Sequence, residues 1–354
     1  MPRVLDPETP FRAVLAIPLL AGLMSWLVCL RLVHTTGRLL DLPNERSLHE
    51  QPTPRGGGLG ILAGIALALL ILEPGSVPFG LLLLTLLLGA LSFLDDLYGL
   101  SALLRFMGHG IVAGLAVFLG QGLSQLQLPG MVMSLPGWLG TILAWLLLVW
   151  MTNLYNFMDG MDGFAGGMAV IGFGALGLLG WQAGDTDFAL VCAVVVAASA
   201  GFLWFNFPPA RLFMGDVGSA ALGFLAGALM LWGARRGLFP LWIGLLVFSP
   251  FVVDATVTLV RRLLRGERVW QAHRSHCYQR LARSGWGHRS TVLAEYGLML
   301  ACAATALWVH GRDPAMQWGA IGLWCIVYAL LMLWVERRNP FPGDGSRRAG
   351  SALT

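Results

Sequence analysis

The feature that most constrains this chain is the recurrence of long apolar runs along nearly all of its length. The hydrocarbon core of a bilayer is about 30 Å thick, and a helix needs about 20 mostly apolar residues to cross it. We therefore expect an all-α, polytopic membrane protein with about 10–11 transmembrane helices, in which residues 1–354 form a single domain. The eleven runs lie at residues 12–33, 57–73, 77–94, 102–120, 136–152, 164–182, 187–205, 217–234, 239–260, 291–310 and 316–335.

The composition excludes an ordinary soluble domain. Hydrophobic residues make up 56% of the chain and charged residues only 12%, against roughly 45–50% and about 25% in soluble domains. The first apolar run is too long, and too weakly marked by a small-residue cleavage site, for a signal peptide, so we interpret it as a retained helix. The five cysteines are scattered without any pair at metal or redox spacing, and we interpret them as small core residues.

The basic residues predict the orientation of the chain. All 23 of them are arginines, and the cytoplasmic loops of membrane proteins collect positive charge. An N-terminus on the outer, periplasmic side puts all but five of the 23 on the cytoplasmic side, where residues 336–354 are expected to form a flexible tail. The positive charge then reflects a basic cytoplasmic face, and we expect no binding to nucleic acid.

With this orientation the unusual polar segments come to one face of the membrane. Outer loops such as "WQAGDTD" are short and chemically plain by comparison. This asymmetry is typical of an enzyme or transporter whose site lies at the cytoplasmic boundary, and a passive structural protein has no need of it. The five segments are "DLPNERSLHEQPTPRGGG" (41–58), "DDLYG" (95–99), "NLYNFMDGMDG" (153–163), "NFPPARLFMGDVGS" (206–219) and the arginine-rich stretch 261–289.

Five aspartates on this face are the candidate chemical groups. A carboxylate at membrane depth costs about 2.5–3.5 kcal/mol on insertion scales, so it usually faces a cavity, a partner or a metal. Asp95 and Asp96 end an apolar run, whereas Asp216 precedes a run of small residues, where it is either functional or a helix N-cap. Asp159 and Asp162 lie among glycines that let a ligand approach the backbone. Hard oxygen ligands of this kind suit Mg²⁺ or Mn²⁺ bound together with phosphates.

A proton- or ion-coupled transporter is the alternative interpretation, since carboxylates within the membrane also mark ion pathways. Transporters of this size often contain two similar halves with paired broken helices. In this chain "NFMDGMDG" and "LFMGDVGS" are alike only in composition, so no internal repeat supports the transporter.

The five segments together resemble the polyprenyl-phosphate N-acetylhexosamine-1-phosphate transferases, and the likeness covers nearly the whole chain. Members include the enzyme that starts lipid I synthesis in peptidoglycan assembly and the enzymes that start O-antigen by loading a sugar phosphate onto undecaprenyl phosphate. This sequence looks like the second group. The matching pieces, in family order, are "DLPNERSLHEQPTPRGGGLGI", "LDD" at 94–96, "NLYNFMDGMDG", "WFNFPPARLFMGDVGS" and "VVDATVTLVRRLLRG".

The resemblance implies a reaction and a role for each matching residue. A HexNAc-1-phosphate passes from a UDP-N-acetylhexosamine to undecaprenyl phosphate in the bacterial inner membrane, UMP is released, and Mg²⁺ or Mn²⁺ is the cofactor. By resemblance, Asp95, Asp96 and Asp216 are the catalytic and metal-binding carboxylates. We favour Asp216 as the metal ligand, while Asp95 and Asp96 stay open as base or second ligand. The nucleotide region corresponds to Asn156, Asp159, Gly160, Met161, Asp162, Asn206 and Phe213.

The last polar stretch departs from the commonest family pattern, which is a cluster of three histidines. Here His273, Arg274, Ser275 and His276 stand in its place, which is similar to O-antigen initiators that use deoxy-hexosamines such as N-acetylfucosamine. The sugar therefore stays open among GlcNAc, FucNAc, QuiNAc and others. The residues of this stretch that we expect to close over the phosphates and sugar, with His276 as a catalytic residue, are Arg261, Arg262, His273, Arg274 and His276.

The acceptor needs a groove that opens to the bilayer, because its polyprenyl tail stays in lipid. Pro250 lies inside the apolar run 239–260, where its missing N–H and its ring bend or break a helix. We expect a lipid-facing cleft at this bend, with Asp254 one turn later. Glycine-rich spans such as "GGLGILAG" also permit close helix packing, either within one chain or between the two copies of a homodimer.

Overall fold

The computed structural model describes residues 11–34, 40–41, 52–72, 78–268 and 273–341, and within these ranges the protein is mostly helical. The helices are α1 (Phe11–Leu32), α2 (Gly58–Ile71), α3 (Phe79–Tyr98), α4 (Ala102–Ala116), α5 (Gly137–Met158), α6 (Phe164–Gln182), α7 (Thr186–Asn206), α8 (Asp216–Arg235), α9 (Leu241–Val247), α10 (Ser249–Leu264), α11 (Cys277–Leu281), α12 (Gly287–Val309) and α13 (Pro314–Arg338).

Strands are few and short in the described part of the chain. One antiparallel pair joins the chain after α1 to the chain before α2, and a second forms a hairpin between α4 and α5. The chain is also kinked at two glycines of positive φ, Gly120 after α4 and Gly285 between α11 and α12. The strands are β1 (Leu40–Asp41), β2 (Thr53–Pro54), β3 (Gln125–Leu128) and β4 (Met131–Ser134).

The helices confirm the predicted all-α polytopic membrane fold. In the described ranges, nine helical stretches are long and apolar enough to cross a membrane, and α9 with α10 makes a tenth span if the bent pair is one crossing. In the described ranges, ten of the eleven predicted runs each overlap one helix, of which α2 has only 14 residues, whereas run 239–260 is divided between α9 and α10. The cytoplasmic or periplasmic location of each end stays a prediction.

Helix α8 lies at the centre of the bundle, and nearly all of its residues are buried. Its sequence allows this because small residues let neighbouring helices approach closely. A Cβ added at Gly58 of α2 would lie 2.3 Å from the Cα of Gly218, and one added at Gly223 would lie 2.4 Å from the carbonyl oxygen of Met151 in α5. Glycine therefore brings both α2 and α5 against the central helix.

The predicted bend at Pro250 is confirmed. Helices α9 and α10 meet at an angle of 84°, and Pro250 occupies the first turn of α10, where its missing N–H leaves no hydrogen bond unmade. The Ser249 hydroxyl donates to the carbonyl oxygen of Leu246 at 2.7 Å and pairs with the Tyr328 hydroxyl of α13 at 2.7 Å. The break thus keeps one of its exposed carbonyl groups hydrogen-bonded within the bundle.

The predicted tail at 336–354 overlaps the end of α13. This helix continues to Arg338, and the Phe341 side chain is only 1% exposed. Its backbone N–H donates to Glu336 at 2.9 Å. Glu336 and Phe341 are therefore held against the bundle, and residues 342–354 lie outside the described part of the chain.

Candidate active site

A polar cavity of about 250 Å³ lies where four of the five predicted polar segments converge on the N-terminal end of α8, and the fifth contributes residues from α11 and α12. Three short backbone hydrogen bonds fix part of this convergence. The N–H of Phe213 donates to the Pro54 carbonyl at 2.8 Å, and the N–H groups of Gly57 and Gly58 donate to the carbonyls of Phe213 and Met214. The cavity is lined by Asp41, Arg55, Asp96, Asp159, Gly160, Met161, Asp162, Asn206, Phe213, Met214, Gly215, Asp216, Gln279 and His288.

Asp96 holds the N-terminus of α8. Its carboxylate accepts hydrogen bonds from the backbone N–H groups of Asp216, at 3.4 Å, and Val217, at 3.1 Å. These are N–H groups that the helix itself leaves unpaired, and the positive end of the helix dipole favours the negative charge. The guanidinium of Arg55 donates to the Asp96 carbonyl and lies 3.9 Å from its carboxylate. Asp96 therefore ties α3 to α8 at the floor of the cavity.

Asp95 and Asp216 share one arginine. The Nη1 atom of Arg105, in α4, lies 3.1 Å from an oxygen of each carboxylate. Asp95 is buried and also accepts a hydrogen bond from the N–H of Leu100 at 2.6 Å, whereas the Asp216 side chain is 32% exposed. Asp216 is thus the more exposed of the two carboxylates that share Arg105.

An apolar groove of about 800 Å³ meets the polar cavity at Asp216, which lines both. The groove runs between α3, α4, α5, α8 and α10, with Asp95 and Arg105 at its polar end. The rest of its wall is built largely from apolar side chains, among them Leu91, Leu103, Phe106, Leu146, Val149, Trp150 and Leu259. One carboxylate therefore faces a space with polar walls on one side and a space with largely apolar walls on the other.

The segment after α5 forms the wall of the cavity opposite α8. Asp162 accepts a hydrogen bond from the N–H of Ala210 at 3.0 Å and lies 3.1 Å from Nδ1 of His288. The amide of Asn206 is buried and links Gly163 to Leu212 through two hydrogen bonds of 2.9 Å. Asn206 therefore joins the two loops of the predicted nucleotide region in addition to lining the cavity.

Asp159 and Asn156, two other residues of the predicted nucleotide region, have different surroundings. Burial, together with the charges of Asp216 and Asp96, raises the pKa of Asp159 well above its usual range. The protonated form, which can donate a hydrogen bond, is thereby favoured. Asn156 lies on the groove side, where its amide donates to the Ser219 hydroxyl at 3.1 Å. The predicted residues thus divide between the cavity and the groove.

The five residues predicted to close over the phosphates do not line the polar cavity of the described structure. Arg261 pairs with Glu336 at 2.9 Å, and the buried Arg262 pairs with Glu267 at 2.7 Å. Both guanidiniums are thus paired with carboxylates that do not line the cavity. Arg274, the third arginine of the set, is likewise absent from the cavity wall.

The two histidines of that set lie in the loop before α11. His276 is buried, with its Nδ1 atom 3.5 Å from Asp254 of α10. His273 packs beside it, with ring centroids 4.8 Å apart. Burial, with the neighbouring His276 and Arg262, lowers the pKa of His273 to about 3. His273 is therefore neutral near pH 7 and offers no positive charge to a phosphate.

Sequence reasoning missed several side chains that the fold brings to the site, among them Arg55, Arg105, Gln279 and His288. From the sequence, Arg55 and Arg105 were interpreted only as part of the positive charge on the cytoplasmic face. Arg105 follows Asp95 by ten residues on the next helix, and that proximity was the signal available. Gln279 and His288 carry no pattern that distinguishes them from the other polar residues of their loop.

The cavity at Pro250, where the acceptor cleft was predicted, does not contain the catalytic carboxylates. A second apolar cavity, of about 790 Å³, does include Pro250 and Asp254, but it lies between α10, α12 and α13 and reaches none of Asp95, Asp96 and Asp216. The groove that reaches Asp95 and Asp216 is a different one, and α10 contributes only Leu259 to it. Helix α10 thus borders both cavities, and only the groove contains carboxylates of the predicted catalytic set.

A divalent cation at this site needs ligands beyond the side chains of the protein. Within the described residues, no three His, Cys, Asp or Glu side chains lie close enough together to form a complete metal site by themselves. Mg²⁺ usually takes only one or two carboxylates, with waters and substrate phosphates completing its shell. Asp95 and Asp216 already hold one cationic group, that of Arg105, between them. The pair therefore fits an Mg²⁺ ion that arrives with phosphate.

The fold and site define a multi-pass membrane enzyme whose carboxylate centre lies between a polar cavity and an apolar groove. The chain belongs to glycosyl transferase family 4, whose family model matches residues 78–234.

Named relatives cover most of the chain. It is 32% identical over 388 residues to the decaprenyl-phosphate N-acetylglucosaminephosphotransferase of Mycolicibacterium smegmatis, with 96% of this chain and 92% of that protein covered. It is 31% identical over 279 residues to the probable undecaprenyl-phosphate N-acetylglucosaminyl 1-phosphate transferase of Bacillus subtilis, with 76% and 77% covered. It is 29% identical over 338 residues to the undecaprenyl-phosphate alpha-N-acetylglucosaminyl 1-phosphate transferase of Yersinia pestis, with 89% and 88% covered.

Proposed function

We propose that the protein transfers a HexNAc-1-phosphate from a UDP-N-acetylhexosamine to undecaprenyl phosphate, releasing UMP and forming undecaprenyl-pyrophosphoryl-HexNAc. The reaction takes place in the bacterial inner membrane and initiates O-antigen or a related cell-envelope polysaccharide. The observation that carries the proposal is that the polar cavity and the apolar groove meet at Asp216. A site of this shape suits one water-soluble and one lipid-anchored substrate.

The polar cavity accommodates the nucleotide sugar. Its wall offers backbone and side-chain partners at Gly160, Asp162 and Phe213. A glycine at position 160 is required by the packing, because an added Cβ would lie 2.3 Å from the Tyr278 hydroxyl. The named relatives act on N-acetylglucosamine phosphate donors, which supports a HexNAc donor here.

The apolar groove accommodates the polyprenyl tail, and its polar end accommodates the acceptor phosphate. Arg105 lies at that end, 39% exposed, and its guanidinium is the cation best placed to hold a phosphate beside Asp216. A phosphate monoester has its second pKa near 6. Its oxygen is therefore already largely ionised at neutral pH, and direct displacement needs no strong base.

Asp95, Asp96 and Asp216 then have different tasks. Asp96 keeps the N-terminus of α8 in position through its two backbone hydrogen bonds. Asp216, with Asp95 behind it, would hold Mg²⁺ or Mn²⁺, and the bound ion would offset the negative charge of two phosphates and align them for in-line attack. Arg105 links the two metal-binding carboxylates to the acceptor.

Release of UMP tests the proposal. The purified full chain in detergent or nanodiscs, with undecaprenyl phosphate and Mg²⁺, should release UMP from at least one UDP-HexNAc, and omission of the lipid should abolish the release. A panel of UDP-GlcNAc, UDP-FucNAc and UDP-QuiNAc then identifies the sugar. Absence of lipid-dependent UMP release with every donor would refute the proposed reaction.

A further inference from the structure

The last turn of α13 and the residues that follow it make a set of contacts that the proposed reaction does not use. The Glu336 carboxylate accepts hydrogen bonds from Arg261 of α10 and Arg280 of α11, both at 2.9 Å, through one oxygen. Its other oxygen accepts the backbone N–H of Phe341, also at 2.9 Å. A single carboxylate in the last turn of α13 therefore joins α10, α11 and the chain that follows α13.

The contacts around Arg280 are reciprocal. Its Nε donates to the carbonyl oxygen of Asn339 at 2.9 Å, and the Asn339 amide donates back to the carbonyl oxygen of Arg280 at 2.9 Å. The Arg280 side chain is only 3% exposed. A buried guanidinium is tolerated only when it is paired and hydrogen-bonded, and in the described structure this one donates to Glu336 and Asn339.

Phe341 completes the arrangement. The guanidinium carbons of Arg261, Arg265 and Arg280 lie 4.5, 4.4 and 5.5 Å from the centre of its ring. Distances below about 6 Å are those of cation–π interactions. The ring is therefore packed among cationic groups from two different helices. We refer to Glu336, Asn339 and Phe341 as the C-terminal clamp.

The element that the clamp holds is too short to be stable alone. Helix α11 has five residues, and isolated helices shorter than about 12–15 residues are marginal in water. At its N-terminal end, Asp254 accepts the N–H groups of Cys277 and Tyr278 at 2.9 and 3.2 Å. At its C-terminal end, Arg280 binds the clamp. Tertiary contacts at both ends thus set the position of α11.

The position of α11 matters because its central residues reach the polar cavity. Gln279 lines the cavity, and its amide nitrogen would lie 3.3 Å from a Cβ built at Gly160. The Tyr278 hydroxyl donates to the carbonyl oxygen of Phe157 at 3.2 Å. The two residues that precede Arg280 in the helix therefore pack against the segment that carries the predicted nucleotide residues.

We propose that the C-terminal clamp is a positioning device for the donor side of the active site, which keeps Gln279 against the nucleotide sugar. The inference rests on the proposed function. It places Glu336, Asn339 and Phe341 as positioning residues, since none of them lines the polar cavity or the groove. When the clamp is loosened, α11 shifts. A small displacement of Gln279 then weakens binding of the UDP-sugar in the polar cavity.

The test compares Asn339→Ala, Glu336→Gln and Phe341→Leu with wild type in the full-length enzyme. We expect KM for the UDP-sugar to rise about tenfold, while KM for polyprenyl phosphate stays within about twofold, because misplacement by about 1 Å is costly where it occurs. Arg338→Ala is the matched control: Arg338 stands in the same turn and stacks on Trp334 at 4.5 Å, but it makes no contact with α11 among those described.

A second measurement needs no substrate. Arg280 is buried, so trypsin should not cut after it in the wild type, whereas the three clamp variants should be cut there readily. Failure of the wild type to release UMP would count against the proposed function, while the cleavage result still tests the clamp. Variants that melt at lower temperature but keep the wild-type donor KM would overturn the positioning role. Unchanged cleavage after Arg280 would overturn the clamp itself.

Discussion

Arg105 offers the sharpest test of the carboxylate centre. Its guanidinium lies 3.1 Å from both Asp95 and Asp216 at the mouth of the groove. Arg105→Met keeps the length of the side chain and removes its charge, which leaves the two carboxylates and the incoming acceptor phosphate without a shared cation. The loss should therefore fall on the acceptor.

The size of the effect follows from the contacts. Hydrogen bonds to charged groups contribute about 1.5–3 kcal/mol, and the 39% exposure of the arginine argues for the lower half of that range because solvent screens its charge. At about 1.4 kcal/mol for each factor of ten, kcat/KM for polyprenyl phosphate should fall roughly 10- to 50-fold. Arg105→Lys, which keeps the charge but not the fork of donors, should lose less.

The assay is UMP release at saturating UDP-sugar with varied polyprenyl phosphate, followed by the converse titration. Arg211→Met is the control, since Arg211 is exposed, stacks on Phe205 at 5.2 Å and lines neither the cavity nor the groove. A loss of less than threefold for Arg105→Met, or an equal loss in both titrations, would show that Arg105 does not hold the acceptor phosphate.

Three further predictions concern the carboxylates and the groove. Asp216→Ala should abolish transfer in a protein that still folds, because the exposed metal-binding carboxylate is gone; activity near wild type in a well-expressed variant contradicts the metal assignment. Asp95→Asn and Asp96→Asn should each cost at least about 100-fold in kcat, the scale of electrostatic contributions to catalysis, and losses below tenfold in both would place the site elsewhere. A photo-crosslinking polyprenyl-phosphate probe should label Trp150 and Leu259 in the groove, and labelling confined to the cavity between α12 and α13 would contradict the acceptor path.

The bend between α9 and α10 shows how far a local rule reaches. Pro250 in an apolar run predicted a break, because the missing N–H and the ring act within one turn of helix, and the 84° angle follows. The rule does not say on which side of α10 the acceptor groove lies. That depends on the packing of α4 and α5, which bring Arg105 and the groove wall to the carboxylates.

The arginine-rich stretch 261–289 shows the opposite limit: its charge is evident from the sequence, but the partners of its side chains are not. Its arginines and histidines were expected at the phosphates because of their charge, but a long side chain pairs with whichever carboxylate the fold brings nearest. Glu336 meets Arg261, and Asp254 meets His276. Gln279 and His288 line the cavity instead. Composition predicted that this loop is cationic, and only the packing of α13 against α10 and α11 decided which of its residues are engaged elsewhere.

The amino-acid sequence by itself determined the membrane fold, the helical runs and the convergence of the aspartate segments, because hydropathy, glycine content and charge act locally and repeat along the chain. The tertiary structure decided which side chains share the site. The Asp96 carboxylate accepts a hydrogen bond from the backbone N–H of Asp216, which lies 120 residues later in the sequence. Arg105 pairs with Asp95 and also with the carboxylate of Asp216, which lies 111 residues after the arginine. Contacts at such separations depend on how helices pack, and no local pattern encodes that packing.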